Sequence, residues 1–117
     1  GSKEKLILGR LDIYRDWGWA PDYVEAMWLM LQNDYPEDFV IATGISRTLE
    51  EFIKITFDNL DLNYKDHILI DRSLFRPNDL KFGMANPQKA YDKLGWKANF
   101  KLEEIINEMI NSELKNI

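Results

Sequence analysis

The sequence has no cysteine among its 117 residues and a single histidine. A disulfide framework and a thiolate metal site are excluded, and one imidazole is too few for the usual zinc constellations. Glycine and proline are sparse, at 6 and 4 residues, and no Pro/Gly/Ser-rich stretch divides the chain, so it reads as one domain without repeats. The longest apolar run, Ala26 to Leu31, falls far short of the roughly 20 residues a membrane helix needs. Positive charge is in deficit, with 15 bases against 20 acids and a net charge of −5. No overall field draws the chain to nucleic acid or to an anionic membrane, so any anion it binds must be held by local arginines. Together these absences point to the cytoplasm. The leading Gly1-Ser2-Lys3-Glu4-Lys5 has no signal-peptide core and reads as a tag-removal scar with a flexible start, leaving 6–117 as the domain.

What is present is the composition of a folded domain: 45% hydrophobic, 30% charged and 13% aromatic. A chain of this size buries roughly two-thirds of its unfolded surface, enough for one modest core. Leu6-Ile7-Leu8, Phe39 to Ala42 and Ile68-Leu69-Ile70 are short apolar runs bounded by turn residues, and they predict three strands. Between the first run and Pro21, charge and aromatics mix without period, predicting an extended loop. From 21 to 33, Tyr23, Val24, Met27, Trp28, Met30 and Leu31 cover most of a helix circumference, predicting a mostly buried helix. Thr48 with Glu51 is a capping box opening a helix from 49 to about 60 that buries Leu49, Phe52, Ile53, Thr56 and Leu60. Asn86-Pro87 and Gly95 bracket a short helix over 87–94, and Leu102, Ile105, Ile106, Met109, Ile110 and Leu114 predict a terminal amphipathic one. The fold class is α/β, helix-rich with a few short strands.

Chemistry is thinly signalled. There is no Gly-rich phosphate loop, nucleophile elbow or metal-ligand spacing, and His67 reads as an edge residue rather than a general base. Trp28 and Trp96 read as core; Trp17 and Trp19 lie in a loop and can serve either as packing or as an exposed interaction surface. Two arginines stand in turn-rich segments: Arg15, before Asp16-Trp17-Gly18, and Arg76, before Pro77. Two guanidinium forks match the oxygens of a pyrophosphate, and Asp79 can accept hydrogen bonds from a ribose diol. On residue type alone, ordinary surface ion pairs explain the same three residues.

The run Leu8-Gly9-Arg10-Leu11-Asp12-Ile13-Tyr14-Arg15-Asp16-Trp17-Gly18, continuing from Asp22 through Gln32, resembles the carboxy-terminal part of GDP-mannose 4,6-dehydratases, which are extended short-chain dehydrogenases/reductases. Asp38 to Gly44, Phe75-Arg76-Pro77 and the stretch from Asn86-Pro87 to Lys97 follow in the same order, so the likeness runs from Leu8 to Met109. It implies a nucleotide-sugar-binding lobe detached from a Rossmann domain that holds NADP and the catalytic residues. Such enzymes oxidise C4 of the sugar of GDP-mannose, eliminate water across C5 and C6, and return the hydride to C6. No catalytic residue is carried over, and the chain alone is expected to be inactive. By the same resemblance Arg15 and Arg76 contact the nucleotide, Asp79 stands where the family has a ribose-binding glutamate, and the full-length enzyme is a homo-oligomer. Arg10, where the family usually has asparagine, and the short Asp61 to Asp66 connection, where some relatives carry an insertion, depart from the pattern. Another nucleotide-sugar epimerase, dehydratase or reductase, or a non-enzymatic interaction module using Trp17 and Trp19, are the alternatives.

Overall fold

Two short ladders organise the chain. β1 (Leu6–Leu8) pairs in parallel with β4 (Ile68–Ile70), Leu6 facing Ile68 and Leu8 facing Ile70. β2 (Tyr14–Asp16) pairs antiparallel with β3 (Ser46–Thr48), Arg15 directly opposite Arg47. Around them lie α1 (Ala20–Leu31), α2 (Leu49–Asp58), α3 (Gln88–Leu94) and α4 (Leu102–Lys115). These elements come from a computed structural model, which describes residues 3–77 and 82–116. Gly1-Ser2 of the expected scar and Asp79 of the expected ribose contact lie outside the described residues.

Local chemistry starts and stops the helices. Thr48 Oγ1 accepts from Glu51 N at 3.1 Å while Glu51 Oε1 accepts from Thr48 N at 3.3 Å, which closes the predicted capping box of α2. At its far end Asp61 is in the left-handed region with φ 57°, and Leu62 N donates to Phe57 O at 2.9 Å, a Schellman closure built on aspartate rather than glycine. Asn86 Oδ1 accepts from Gln88 N at 3.0 Å at the start of α3, and Gly95 ends it at φ 67°. Glu104 Oε2 reaches back to Lys101 N at 2.8 Å to open α4.

Two clusters form the interior. Ala26 of α1, Ala90 of α3 and Trp96 are buried together, with Tyr23, Leu29, Phe39, Ile41 and Leu94 packed against them. Ile53 of α2 is buried, as are Leu102, Ile105 and Ile106 of α4, the helix packed beside it. Asp22 ties α1 to the chain beyond Trp96: its main-chain oxygen accepts from Trp96 Nε1 at 2.9 Å, and its Oδ2 accepts from Asn99 N and Phe100 N at 3.1 and 3.0 Å.

Four expectations need correcting. Phe39 to Ala42 is not a strand. Phe39 and Ile41 pack on the core and Ala42 is buried while Val40 is exposed, but this stretch joins neither of the two ladders. Lys89 holds it instead, donating Nζ to Asp38 O at 2.8 Å with its ammonium 5.0 Å from the Phe39 ring centre. The stretch before Pro21 contains β2, which its charged Tyr14-Arg15-Asp16 sequence concealed. Leu60 is exposed, lying past the end of α2. Finally α1 ends at Leu31 and is not mostly buried; Val24, Met27, Trp28 and Leu31 face solvent, so Trp28 is not core, whereas Trp96 is.

The shape is a slab of 55 × 39 × 17 Å with a radius of gyration of 17.3 Å, against about 13 Å for a compact domain of this length. Its accessible surface of 8815 Å² exceeds the roughly 6,600 Å² of a monomer of this mass.

Candidate functional site

The Arg15-Asp16-Trp17-Gly18 run is a structural knot with one cation on it. Asp16 Oδ1 accepts from Thr43 Oγ1 and Thr43 N at 2.7 and 3.1 Å, and its Oδ2 accepts from Gly44 N at 2.9 Å, pinning a loop in which Gly44 sits at φ 84°. Trp17 packs on Phe52 of α2 with ring centres 4.9 Å apart. A Cβ on Gly18 would lie 1.7 Å from the Tyr23 hydroxyl, so only glycine admits that side chain. Burial, with Asp16 and Asp22 adding to it, raises the pKa of the Tyr23 phenol.

Arg15, at the centre of β2, donates Nη1 to Tyr14 O at 2.7 Å. Directly opposite residues of an antiparallel pair share a face, so Arg15 and Arg47 are a like-charge pair, which destabilises a sheet unless neutralised. Arg47 is neutralised by Glu51 at 2.6 Å and Glu103 at 2.9 Å, bonds that raise its own pKa. The Glu51 carboxyl is lowered chiefly by its hydrogen bond to Arg47, and that of Glu103 by a backbone N–H and then by Arg47. This network bridges α2 to α4 and consumes Arg47.

Arg76 is exposed, two residues beyond a 3₁₀ turn at Arg72–Leu74 that Asp71 caps through Ser73 N at 2.9 Å. Just before it, Phe75 lies under the guanidinium of Arg10, whose carbon is 5.6 Å from the ring centre. Arg10 is itself locked to Asp12 by two hydrogen bonds of 2.9 and 2.8 Å. Arg10, Asp12 and Phe75 line a cavity of about 450 Å³ together with Tyr64, Ile68 and Ile70. That volume lies within the usual range of small-molecule sites. Tyr64 donates to Glu50 Oε1 at 2.6 Å across the cavity wall, which raises the phenol's pKa.

The chain that leaves Arg76 returns beside Arg15. Phe82 bridges to Tyr14 with rings 5.2 Å apart, and Gly83 N donates to Tyr14 O at 3.2 Å. Six residue steps span at most about 20 Å, so this tether keeps Arg76 within that reach of β2. The other sequence candidates are spent on packing: His67 stacks on Phe57 at 5.3 Å, and Trp19 on Phe100 at 5.4 Å. The residues that sequence reasoning missed are Asp16 and Asp22, whose partners lie 27 to 78 positions away and leave no local signal.

The profile of the GDP-mannose 4,6 dehydratase family matches residues 1–109. The chain belongs to the GDP-mannose 4,6-dehydratase family. It is 44% identical over 115 residues to GDP-mannose 4,6 dehydratase 1 of Arabidopsis thaliana, covering 98% of this chain and 32% of that one. With the human GDP-mannose 4,6 dehydratase it shares 39% over 132 aligned positions, more than the chain's own length, so that relative carries inserted residues; the coverage is 98% and 36%. The fold matches RMD from Pseudomonas aeruginosa, solved with NADPH, at a TM-score of 0.85 and 17% identity, over 97% of this chain and 37% of that one. The chain thus spans about a third of the length of the family members it matches.

Proposed function

We propose that this chain is the substrate-binding lobe of a GDP-mannose 4,6-dehydratase, an NADP-dependent lyase converting GDP-mannose to GDP-4-keto-6-deoxymannose. Arg15 and Arg76 grip the diphosphate of GDP and Asp79 holds the ribose diol. The observation that carries the reading is the path of the chain: Phe75, the neighbour of Arg76, lines the 450 Å³ cavity, and Phe82 and Gly83 dock against Tyr14, the neighbour of Arg15. A diphosphate held there exchanges water for two planar forks, each charge-assisted bond contributing about 1.5–3 kcal/mol when partly desolvated.

NADP does not fit the described part of this chain. The long helices α1, α2 and α4 begin after Trp19, Thr48 and Lys101 rather than after a glycine-rich strand-to-helix turn, and the capping box of Thr48 occupies the first amides of α2. On this reading the redox cofactor and the acid–base groups are held by a part of the enzyme corresponding to the two-thirds of the relatives that this chain does not match, and no chemical step is assigned to the residues described. On this reading the full-length enzyme is a cytoplasmic homo-oligomer.

The test is amide-resolved NMR of the labelled chain titrated separately with GDP, UDP, CDP and ADP. Expected are GDP-selective shifts at Tyr14–Arg15 and Phe75–Arg76, with weak affinity because half of the pocket wall is elsewhere. Equal shifts with all four nucleotides refute the guanosine assignment, and shifts confined to other residues refute the site.

A further inference from the structure

Arg10 joins the two segments of chain that carry Arg15 and Arg76. The end of β1 grips the stretch that leads to Arg76: Leu8 O accepts from Asp71 N at 2.8 Å, and a Cβ on Gly9 would stand 3.4 Å from the Leu74 main-chain oxygen. Arg10 extends that grip by one residue, its guanidinium carbon 5.6 Å from the ring centre of Phe75, within the range at which a ring face attracts a cation. The same guanidinium meets Asp12 through Nε at 2.9 Å and Nη2 at 2.8 Å, a two-pronged geometry that fixes a plane as well as a distance. Asp12 is itself anchored, because Leu11 O and Ile13 O on either side of it accept from Glu50 N and Leu49 N at 3.0 Å at the start of α2. Two residues further on, β2 opens with Tyr14 and Arg15. At the other end Phe75 is extended, at φ −70° and ψ 131°, and Pro77 biases Arg76 to extended backbone as well, so little freedom separates the Phe75 ring from the Arg76 side chain.

We propose that Arg10 is a positioning residue: with Asp12 and Phe75 it forms a strut that sets the separation of Arg15 and Arg76, and so favours a diphosphate over a monophosphate. This rests on reading Arg15 and Arg76 as the diphosphate clamp, and adds the group that sets its span. The Arg10 and Asp12 side chains are 31% and 53% exposed, and a pair so exposed adds little to stability. Its effect is on geometry, since binding groups must be held to within about 0.5 Å by the residues that support them.

The experiment compares the chain with Arg10→Met, which keeps an unbranched apolar stem, with Asp12→Asn, with the double variant, and with Arg10→Lys, which keeps the charge over the ring without the fork. The first readout needs no ligand: Asp12→Asn shifts the amide resonances of Phe75 and Arg76, more than sixty positions away in sequence. The second is the ratio of GDP to GMP affinity by NMR titration. Each of Arg10→Met and Asp12→Asn lowers it by about threefold to tenfold, and the double variant lowers it no further, as expected of two groups acting as one unit. Arg10→Lys restores part of the ratio, and the melting temperature falls by no more than about 4 °C in any variant. A wild type that prefers GDP, with the ratio unchanged in Arg10→Met and Asp12→Asn, overturns the strut and leaves the clamp intact. Additive losses in the double variant, or Phe75 and Arg76 amides that do not move, overturn it as well. A variant that unfolds, or loses GDP and GMP affinity alike, makes Arg10 a merely structural residue and also overturns it. A wild type without preference for GDP overturns the clamp itself, and the strut with it.

Discussion

Replacing Asp22 by alanine tests the joint that holds α1 to the segment after Trp96. The carboxylate is buried, and its Oδ2 accepts from Asn99 N at 3.1 Å and Phe100 N at 3.0 Å. Truncation removes the charged acceptor of both amides. Each bond to a charged acceptor contributes about 1.5–3 kcal/mol. Because the two share one oxygen, the low end applies, giving a loss of about 3 kcal/mol for the pair. A domain of this length has about 6–17 kcal/mol in total, so the variant surrenders a fifth to a half of it and melts about 10–15 °C lower. Asp22→Asn keeps a neutral oxygen acceptor and should lose about 1 kcal/mol. Urea unfolding followed by tryptophan fluorescence measures both, and the Trp96 Nε1 bond to the main-chain oxygen survives either change. An alanine variant within about 0.5 kcal/mol of wild type contradicts the reasoning, because exposed substitutions alone move stability that little.

Three smaller predictions follow from the same geometry. Gly18→Ala places a methyl 1.7 Å from the Tyr23 hydroxyl and must displace a ring packed on Trp96; a loss of about 1–3 kcal/mol in chemical unfolding is expected. Asp61→Gly removes the left-handed strain at the end of α2 and should stabilise by about 0.5–1 kcal/mol, read as a higher urea midpoint. In acid, Glu51 and Glu103 have folded pKa values below their unfolded ones, so their contribution is present above the usual glutamate value of about 4.3 and is lost as pH falls through the lowered values. Thermal melts from pH 6 to pH 3 should fall mainly below that point, and Arg47→Met should flatten the decline; an unchanged slope would show that the network over α2 and α4 contributes nothing.

Legibility in the sequence tracked locality. The capping box of Thr48 and Glu51, the Asn86 and Gly95 brackets of α3 and the stripe of α4 are written within a few residues, and each is found in place. β2 was hidden because it is held by pairing with β3, more than thirty residues on, rather than by apolar alternation. Phe39 to Ala42 misled for the converse reason: its apolar run packs a core without joining either ladder. Trp28 misled because apolar residues cover two sides of α1, and only the side of Ala26 packs on the core. Of the candidate site, Arg15 and Arg76 stood out as cations away from charged helix faces, but the strand that holds Arg15 did not, and nothing local announces that Phe82 and Gly83 meet Tyr14.

The account stands on two guanidinium groups acting on one diphosphate. The direct measurement is the ratio of GDP to GMP affinity, by NMR titration, in the chain and in Arg15→Ala, Arg76→Ala and the double variant. The prediction is a clear preference for GDP in the wild type that either single substitution abolishes, with the double variant no worse than each single one. A preference that survives the loss of either arginine, or a wild type that binds GMP as well as GDP, contradicts it.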